Sequence, residues 1–334
     1  MHPASTEPTP LRQFLAPRFW PTWLGLGFMW LLTRLPFGVQ MRIGQGLGWL
    51  SFHLARARRE VTRINLELCF PELSPQQRRR LLKDTFLANG MGIMEVALAW
   101  NRKLESFRPR VSITGLQHLR DARAQGRGVL LIGAHFSTLE LGGSLLSLFE
   151  PMDVTYRRHK NPLFDAVMTN GRKRLFPAVI ERENVRDAIR SLKQGHVLWY
   201  APDQDYGPRR AVFVPFFGVP AATITATSRF AAVNQSVVLF FSHHRIDNNT
   251  RYHLDISAPL PGYPSGDDVA DAITMNRLIE QAVRRHPEQY LWMHKRFKTQ
   301  AEGPSGRLYQ SGGPPTGGAA HGGAIDDSND IENP

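Results

Sequence analysis

Short apolar runs alternate with amphipathic stretches along the middle of the chain, from about residue 111 onward. The apolar runs have the length of β-strands, and the stretches between them repeat their apolar positions with helical spacing. Strands that alternate with helices are typical of an α/β domain with a mostly parallel central sheet flanked by helices. The pattern predicts strands at 128–135, 153–156, 196–202, 236–244 and 253–259, and helices at 42–68, 74–100, 138–149, 162–175, 184–194, 222–234 and 267–286.

The helix predicted over 74–100 has a recognisable start and two features that favour close packing. Ser74 is a suitable N-cap, because Pro75 then takes the first helical position, which needs no backbone N–H. Gly90 and Gly92 leave room for another element to approach the helix closely.

Residues 19–33 form an uncharged apolar segment with three tryptophans, followed by Arg34. The segment is shorter than the ~20 residues of a typical spanning helix and lacks the features of a cleaved signal peptide. Three interpretations follow: a tilted span that includes 35–39, a helix lying in the bilayer interface, or a buried core helix. The aromatic residues favour a membrane anchor over residues 1–40.

The charge distribution separates a basic body from an acidic tail. The chain has 41 basic and 29 acidic residues, but residues 301–334 hold only one basic and five acidic ones. Residues 1–300, which include the predicted catalytic domain at 41–300, therefore attract polyanions, whether nucleic acid, anionic lipid head groups or an acidic carrier protein. The glycine- and proline-rich tail is predicted to be disordered, and the lone Cys69 is predicted to be a buried structural thiol.

The candidate chemistry begins with the stretch GVLLIGAHFSTLELGG at 128–143. His135 ends the predicted strand, where residues of an α/β sheet face the ligand crevice. Glu140 can reach it only if His135 lies on the strand-to-helix turn, because five positions on one helix rotate by roughly 500°. A carboxylate beside an imidazole would support a general base. Two alternatives remain: a capping box formed by Ser137 and Glu140, or a structural histidine.

Two further predicted strands end in charged residues. Arg157 follows the strand at 153–156, Arg172 lies in the next basic stretch, and Asp203 and Asp205 follow the strand at 196–202. Convergence of such groups at one sheet edge is expected of an active site. The alternatives are a solvated Arg172 and an Asp205 that only closes its own turn.

Other site types are not supported by the sequence. It contains no dinucleotide fingerprint, phosphate-binding loop or nucleophile elbow, and the pair His243–His244 has no second pair with zinc spacing. No metal and no cofactor are therefore predicted. The stretch 287–298, PEQYLWMHKRFK, mixes aromatic and basic residues, which suits nucleic acid or a head-group-binding edge beside the active site.

GAHFSTLELGG resembles the first block of the lipid A late acyltransferases, whose His-x4-Asp/Glu signature is shared with glycerolipid acyltransferases. The resemblance continues through NLELCFPEL, NGMGIMEVALAW, TYRRHKNPLFD, YAPDQDYGP and PEQYLWMHKRFKT, and covers about residues 15–300. It implies a glycerolipid-acyltransferase-like fold anchored in the cell inner membrane, with the catalytic domain facing the cytoplasm.

The resemblance also implies substrates: an acyl-acyl carrier protein donor and a Kdo-lipid IV(A) acceptor in the cytoplasmic leaflet, without nucleic acid. Laurate is the first expectation for the transferred chain, and palmitoleate or myristate are alternatives. A non-catalytic protein that binds anionic lipid is the alternative from another class. The apolar runs 213–220 and 238–241 are candidates for an acyl-chain slot, with ordinary core packing favoured for the second.

The residue roles follow from the same resemblance. His135 would be the general base and Glu140 would orient and charge-stabilise it. Arg157 and Arg172 match the block linked to phosphate binding or oxyanion stabilisation, and Asp203 would support the arginines or the imidazole. Asp205 is a further substrate-binding candidate.

Overall fold

A seven-stranded sheet forms the centre of the protein in the computed structural model, which describes residues 8–302 and 307–310. Its strands are β1 (Val111–Thr114), β2 (Val129–Ile132), β3 (Asp153–Tyr156), β4 (Val179–Glu181), β5 (Val197–Tyr200), β8 (Val237–Ile246) and β9 (Arg251–Ile256), and a separate hairpin comprises β6 (Ala211–Phe216) and β7 (Val219–Ile224). The order across the sheet is β1-β9-β8-β2-β5-β3-β4. Strands β8, β2, β5, β3 and β4 are mutually parallel, and β9 is antiparallel to β8. The predicted mostly parallel sheet is confirmed.

Ten α-helices are found in the described residues: α1 (Trp20–Leu32), α2 (Phe37–Leu54), α3 (Arg56–Cys69), α4 (Pro75–Asn101), α5 (Leu116–Ala124), α6 (Leu139–Leu146), α7 (Pro162–Lys173), α8 (Val185–Lys193), α9 (Ala226–Ala232) and α10 (Asp268–Arg285). They cover both faces of the sheet. On β2, Val129 and Leu131 belong to one buried cluster and Leu130 and Ile132 to the other. This alternation is expected of a strand buried on both faces.

Helix α4 begins as its sequence predicts. The Ser74 hydroxyl accepts the Gln77 N–H and the Gln77 side chain accepts the Ser74 N–H, which is a complete capping box. The predicted close packing at Gly90 is also found, since a Cβ there would lie 2.1 Å from the Gly44 carbonyl and 2.4 Å from the Gly48 nitrogen on α2.

Two predicted helices differ from the structure. The stretch 42–68 is divided at Ala55, whose ψ of 66° is not helical, so that α2 and α3 are separate helices. The stretch 222–234 begins as the end of β7, and only Ala226–Ala232 is α-helical. The hairpin β6–β7, which includes most of the run 213–220, was not predicted.

Helix α1 is exposed rather than part of the core, so the core-helix interpretation of this segment is wrong. None of its side chains, all of which the structure describes, is buried, and Leu24 is 75% exposed. The exposed apolar surface continues past residue 40 on α2, where Leu54 is 71% exposed. Across residues 8–302 and 307–310, every helix is too short or too polar to cross a bilayer. The anchor over 1–40 stays a prediction.

Part of the predicted disordered tail is ordered. The Tyr309 hydroxyl donates to the Asn65 side chain on α3 at 2.6 Å and accepts the Phe297 N–H at 3.0 Å. Because these bonds tie residues 307–310 to the body, the tail does not begin cleanly at 301. Residues 303–306 and 311–334 of the predicted tail lie outside the described residues.

Candidate active site

His135 lies on the turn between β2 and α6, which is the position that a contact with Glu140 would have required. A second segment fixes the backbone of this turn: the Leu291 N–H donates to the His135 carbonyl at 2.9 Å, and the Ser137 N–H donates to the Gln289 carbonyl at 2.6 Å. From the other side, α4 packs so closely that a Cβ at Gly92 would lie 2.4 Å from the Ser137 carbonyl. The turn is therefore held in place by elements distant in the sequence.

Asp203 is the carboxylate that partners His135. It follows β5, the neighbour of β2, and its Oδ1 lies 2.6 Å from His135 Nδ1 while its Oδ2 accepts the His135 backbone N–H at 2.9 Å. Burial of the Asp203 side chain would raise its pKa, but the charge and hydrogen bonds of His135 and a hydrogen bond from the Tyr290 hydroxyl lower that pKa to about 2. The ionised carboxylate favours the tautomer with a proton on Nδ1, which leaves Nε2 as a proton acceptor.

Glu140 has different partners from those expected. Its carboxylate accepts the Trp100 indole N–H at 2.7 Å and two Arg172 N–H groups at 2.9 and 2.5 Å. Burial of Glu140 would raise its pKa, but the charge and hydrogen bonds of Arg172 and the Trp100 bond outweigh burial and lower it. The role of imidazole partner, expected of Glu140, therefore belongs to Asp203.

Glu140 does not form the alternative capping box with Ser137 either. The Ser137 hydroxyl accepts a hydrogen bond at 2.7 Å from Arg245, whose other Nη atom donates to buried Glu95 at 2.7 Å. Thr138 is the N-cap residue of α6, and its hydroxyl lies 2.7 Å from Nδ1 of His243. Burial chiefly lowers the pKa of His243, to about 3, so this imidazole is neutral.

A cavity of about 250 Å³ adjoins His135. Its polar wall includes His135, Glu140, Arg157 and Arg172. Its apolar wall includes Met152, Val154, Met168, Phe176, Trp199 and Phe241. Since Arg157 is exposed whereas Met152 and Phe241 are buried, the cavity leads from a charged opening into an apolar interior. Such a cavity suits a ligand with a polar reactive end and an apolar chain.

The predicted acyl-slot runs contribute little to this cavity. Within 238–241 only Phe241 lines it, whereas 213–220 lies on the hairpin, where Phe216 and Phe217 pack in the other core cluster. Most of the cavity wall comes instead from β3, α6 and α7 and from residues that flank them, and Trp199 of β5 and Phe241 and His243 of β8 complete it. Sequence alone does not identify the apolar residues among them, because they resemble ordinary core residues.

Asp205 closes its own turn, which is the second of the two interpretations its sequence allows. Its carboxylate accepts the Gly207 N–H at 2.8 Å and both the N–H and hydroxyl of Thr299, at 2.6 and 2.8 Å. These bonds join the loop after β5 to the end of the domain. Asp205 thus stabilises the loop that carries Asp203 and does not line the cavity.

The stretch 287–298 packs against the His135 turn and buries most of its aromatic residues. Tyr290, Trp292, Arg296 and Phe297 are all buried, and the Arg296 guanidinium donates to the Ala222 carbonyl at 2.6 Å. Lys295 and Lys298 of this stretch are exposed, so the head-group-binding edge stays a prediction. In the part of the chain that the structure describes, no group of three or more His, Cys, Asp or Glu side chains is arranged to hold a metal ion.

Known proteins match almost the whole of the described domain. The sequence model of the family described as bacterial lipid A biosynthesis acyltransferase matches residues 8–299. The chain is 42% identical to the lipid A biosynthesis lauroyltransferase of Escherichia coli K12, over 88% of this chain and 96% of that protein. It is 40% identical to the lipid A biosynthesis palmitoleoyltransferase of the same strain, over 88% of this chain and 96% of that protein. It is 30% identical to the lipid A biosynthesis myristoyltransferase of that strain, over 87% of this chain and 91% of that protein.

Proposed function

Because the chain belongs to the bacterial lipid A biosynthesis acyltransferase family and is an acyltransferase that acts on a lipid A-type acceptor, we propose a specific reaction for it. It transfers laurate from acyl-acyl carrier protein to a hydroxyl of an acyl chain on Kdo-lipid IV(A). The observation that carries the proposal is His135 at the cavity wall, with its Nδ1 hydrogen-bonded to Asp203. Family membership excludes the non-catalytic lipid-binding alternative.

Proton transfer is the task of His135. Its Nε2 removes the proton of the acceptor hydroxyl as the oxygen attacks the thioester carbonyl carbon. The tetrahedral intermediate collapses, the carbon–sulfur bond breaks, and the leaving thiolate takes the proton back from the imidazolium. The products are an ester and a free thiol, and His135 is neutral again. Asp203, ionised at neutral pH because its pKa is about 2, stabilises the transient imidazolium.

The arginines of the cavity differ in their suitability for binding a phosphate or an oxyanion. Arg157 is exposed at the opening, so its charge is accessible to a lipid phosphate. Arg172 uses two of its N–H groups on Glu140, and this ion pair joins α6 to α7. We assign phosphate binding to Arg157. Glu140 and Arg172 shape the cavity wall, since removing either charge would leave the other buried without its counter-ion.

The membrane association that we propose is an interfacial one. Between residues 8 and 59 the chain has seven arginines and no acidic residue. The same segment carries exposed apolar side chains on α1 and α2, among them Leu24, Phe28, Trp49 and Leu54. An apolar surface with flanking cations suits the boundary of an anionic bilayer, here the cytoplasmic leaflet of the inner membrane. The same positive charge favours encounter with an acidic carrier protein.

The reaction is tested by incubating the full-length protein with phosphate-labelled Kdo-lipid IV(A) and acyl-carrier donors of 10 to 16 carbons. We expect transfer by the wild type and at least a ~100-fold lower rate for His135→Ala, the lower end of a general base's contribution. His118→Ala is the matched control, because His118 is an exposed histidine on α5.

Several outcomes would contradict parts of the proposal. Full activity of His135→Ala would exclude His135 as the base. Transfer that favours the palmitoleoyl or myristoyl donor would replace laurate and leave the reaction class unchanged. Failure of every donor with a well-folded wild type would exclude acyl-carrier protein as the donor or Kdo-lipid IV(A) as the acceptor.

A further inference from the structure

Helix α6 contains two adjacent glycines that have opposite surroundings. A Cβ at Gly142 would lie 2.5 Å from Cγ of His243, so close packing requires a glycine at that position. A Cβ at Gly143 would meet only Cε of Met152 at 3.6 Å and Cζ of Phe176 at 3.9 Å, which are ordinary van der Waals distances. Packing therefore explains Gly142 and does not explain Gly143.

Backbone conformation does not explain Gly143 either. It lies within the α-helix Leu139–Leu146 and is not among the described glycines with positive φ. Glycine inside a helix is destabilising relative to alanine, and alanine would fit here. A residue that lowers stability without a packing or conformational reason indicates a use for the space that it leaves open.

That space is the apolar part of the cavity beside His135. Gly143 lines this cavity, one helical turn from Glu140, and is partly accessible although both of its neighbours in the chain are buried. Met152 and Phe176, the two residues nearest to the missing side chain, belong to the apolar wall and are 2% and 6% exposed. A longer side chain at 143 would thus extend into the cavity toward these two residues.

Phe176 borders a second space outside the cavity. Phe176 lines the cavity and also an open surface depression formed by 147–151 and 173–177. It therefore lies between the cavity and this depression. Removal of the ring would connect the two spaces and lengthen the cavity.

We propose that Gly143 is a specificity-determining residue: the space left by its missing side chain, bounded by Met152 and Phe176, sets the length of the donor acyl chain. The inference rests on the proposed function, because it identifies the ligand of the cavity as the acyl chain of the donor. Side chains added at 143 shorten the preferred chain, and removal of the Phe176 ring lengthens it.

The test measures kcat/KM of the full-length protein for acyl-carrier donors of 8 to 16 carbons. Gly143→Met is expected to lower the ratio of the 12-carbon to the 8-carbon value by about 10-fold or more, the discrimination that one methylene can provide in an apolar pocket. Gly143→Ala shifts the ratio in the same direction by less and raises the melting temperature. Phe176→Ala raises the ratio of the 16-carbon to the 12-carbon value.

Val185→Met is the matched control, since Val185 is an exposed apolar residue on α8 outside the cavity. An unchanged donor ranking in Gly143→Ala, Gly143→Met and Phe176→Ala, with an active wild type, would overturn the chain-length role alone. A folded wild type that transfers no chain from any donor would overturn the proposed function and this inference with it. If Gly143→Met does not fold, Gly143→Ala and Phe176→Ala decide the question.

Discussion

At the scale of single residues, the two buried carboxylates of the site differ in their hydrogen-bond partners. Asp203 is bonded to an imidazole and Glu140 to a guanidinium, and in both cases the partner outweighs burial and lowers the carboxyl pKa. An ionised carboxylate beside an imidazole helps that ring to accept a proton. An ionised carboxylate beside a guanidinium neutralises a permanent charge. In the proposed mechanism the same functional group, a carboxylate, thus supports catalysis at Asp203 and structure at Glu140.

Replacement of Asp203 by Asn tests this distinction. Because the pKa of Asp203 falls from 3.8 to about 2 on folding, its ionised form contributes about 2 kcal/mol of stability. This contribution is complete above about pH 4 and is lost as the pH falls through 2. Asp203→Asn should therefore lower the free energy of unfolding at pH 7, with a difference from wild type that declines below pH 4. Urea unfolding between pH 7 and pH 2.5 measures it.

The activities of two variants complete the comparison. Asp203→Asn should reduce transfer at least ~100-fold, since a wrongly oriented imidazole loses the contribution of a general base. Glu140→Gln keeps the pair of His135 and Asp203 and should lose less. Equal activity of Asp203→Asn and wild type would show that Asp203 does not support the base.

The sequence could predict that His135 needs a carboxylate but not which one supplies it. Glu140 is five residues away, whereas Asp203 is 68 residues away. The choice depends on β5 lying directly beside β2, and the strand order of a parallel sheet is a property of the whole chain. Arg157 at the cavity opening followed correctly from its position after β3, because that strand ends at the same sheet edge.

At the scale of elements, local signals predicted helix ends well, and tertiary contacts decided the exceptions. The N-cap at Ser74 was recognisable from the sequence, and the helices predicted at 162–175 and 184–194 lie within two residues of the observed ones. The hairpin β6–β7 was missed because its apolar residues and its Phe217-Gly218 turn also fit a loop that lines a slot. Propensity alone could not show that the start of 222–234 pairs with another strand.

The contact between α2 and α4 gives a prediction at this scale. Gly90→Ala should lower the free energy of unfolding by about 1–3 kcal/mol, because the new methyl group would overlap the backbone of α2. Gly46→Ala is the matched control: Gly46 lies on α2 with no atom within 4 Å of an added Cβ, and should gain about 0.5–1 kcal/mol. Thermal and chemical unfolding compare the two. Equal stability of both variants would contradict the close helix contact.

At the scale of the whole molecule, helix α7 links the exposed apolar helix α1 to the cavity. The Asn170 side chain on α7 accepts the Thr9 N–H and donates to the Thr9 carbonyl. Asn161, the N-cap residue of α7, donates to the hydroxyl of Thr22 on α1. Helix α7 also carries Arg172 of the cavity wall. A lipid held by the N-terminal helices would therefore be close to the helix that forms one wall of the site.

Vesicle binding tests the role of that surface. Leu24 and Phe28 lie four positions apart on α1 and are both exposed, so they form one apolar face. Leu24→Ser and Phe28→Ser should each weaken binding to vesicles with anionic lipid by about 10-fold, given ~1.5–3 kcal/mol for burying such a side chain. Val269→Ser, an exposed residue of α10, should not change the affinity. Unchanged binding of both α1 variants would exclude α1 as the docking surface.

The backbone bonds between the His135 turn and residues 289–291 also have a consequence for the order in which the site forms during synthesis. The ribosome releases His135 and Asp203 long before it releases the segment that fixes their turn. An incomplete chain has both side chains but no rigid turn to hold them, because Leu291 has not yet bonded the His135 carbonyl. We therefore expect the site to take its final geometry only after residues 289–291 have been synthesised and have packed against the turn.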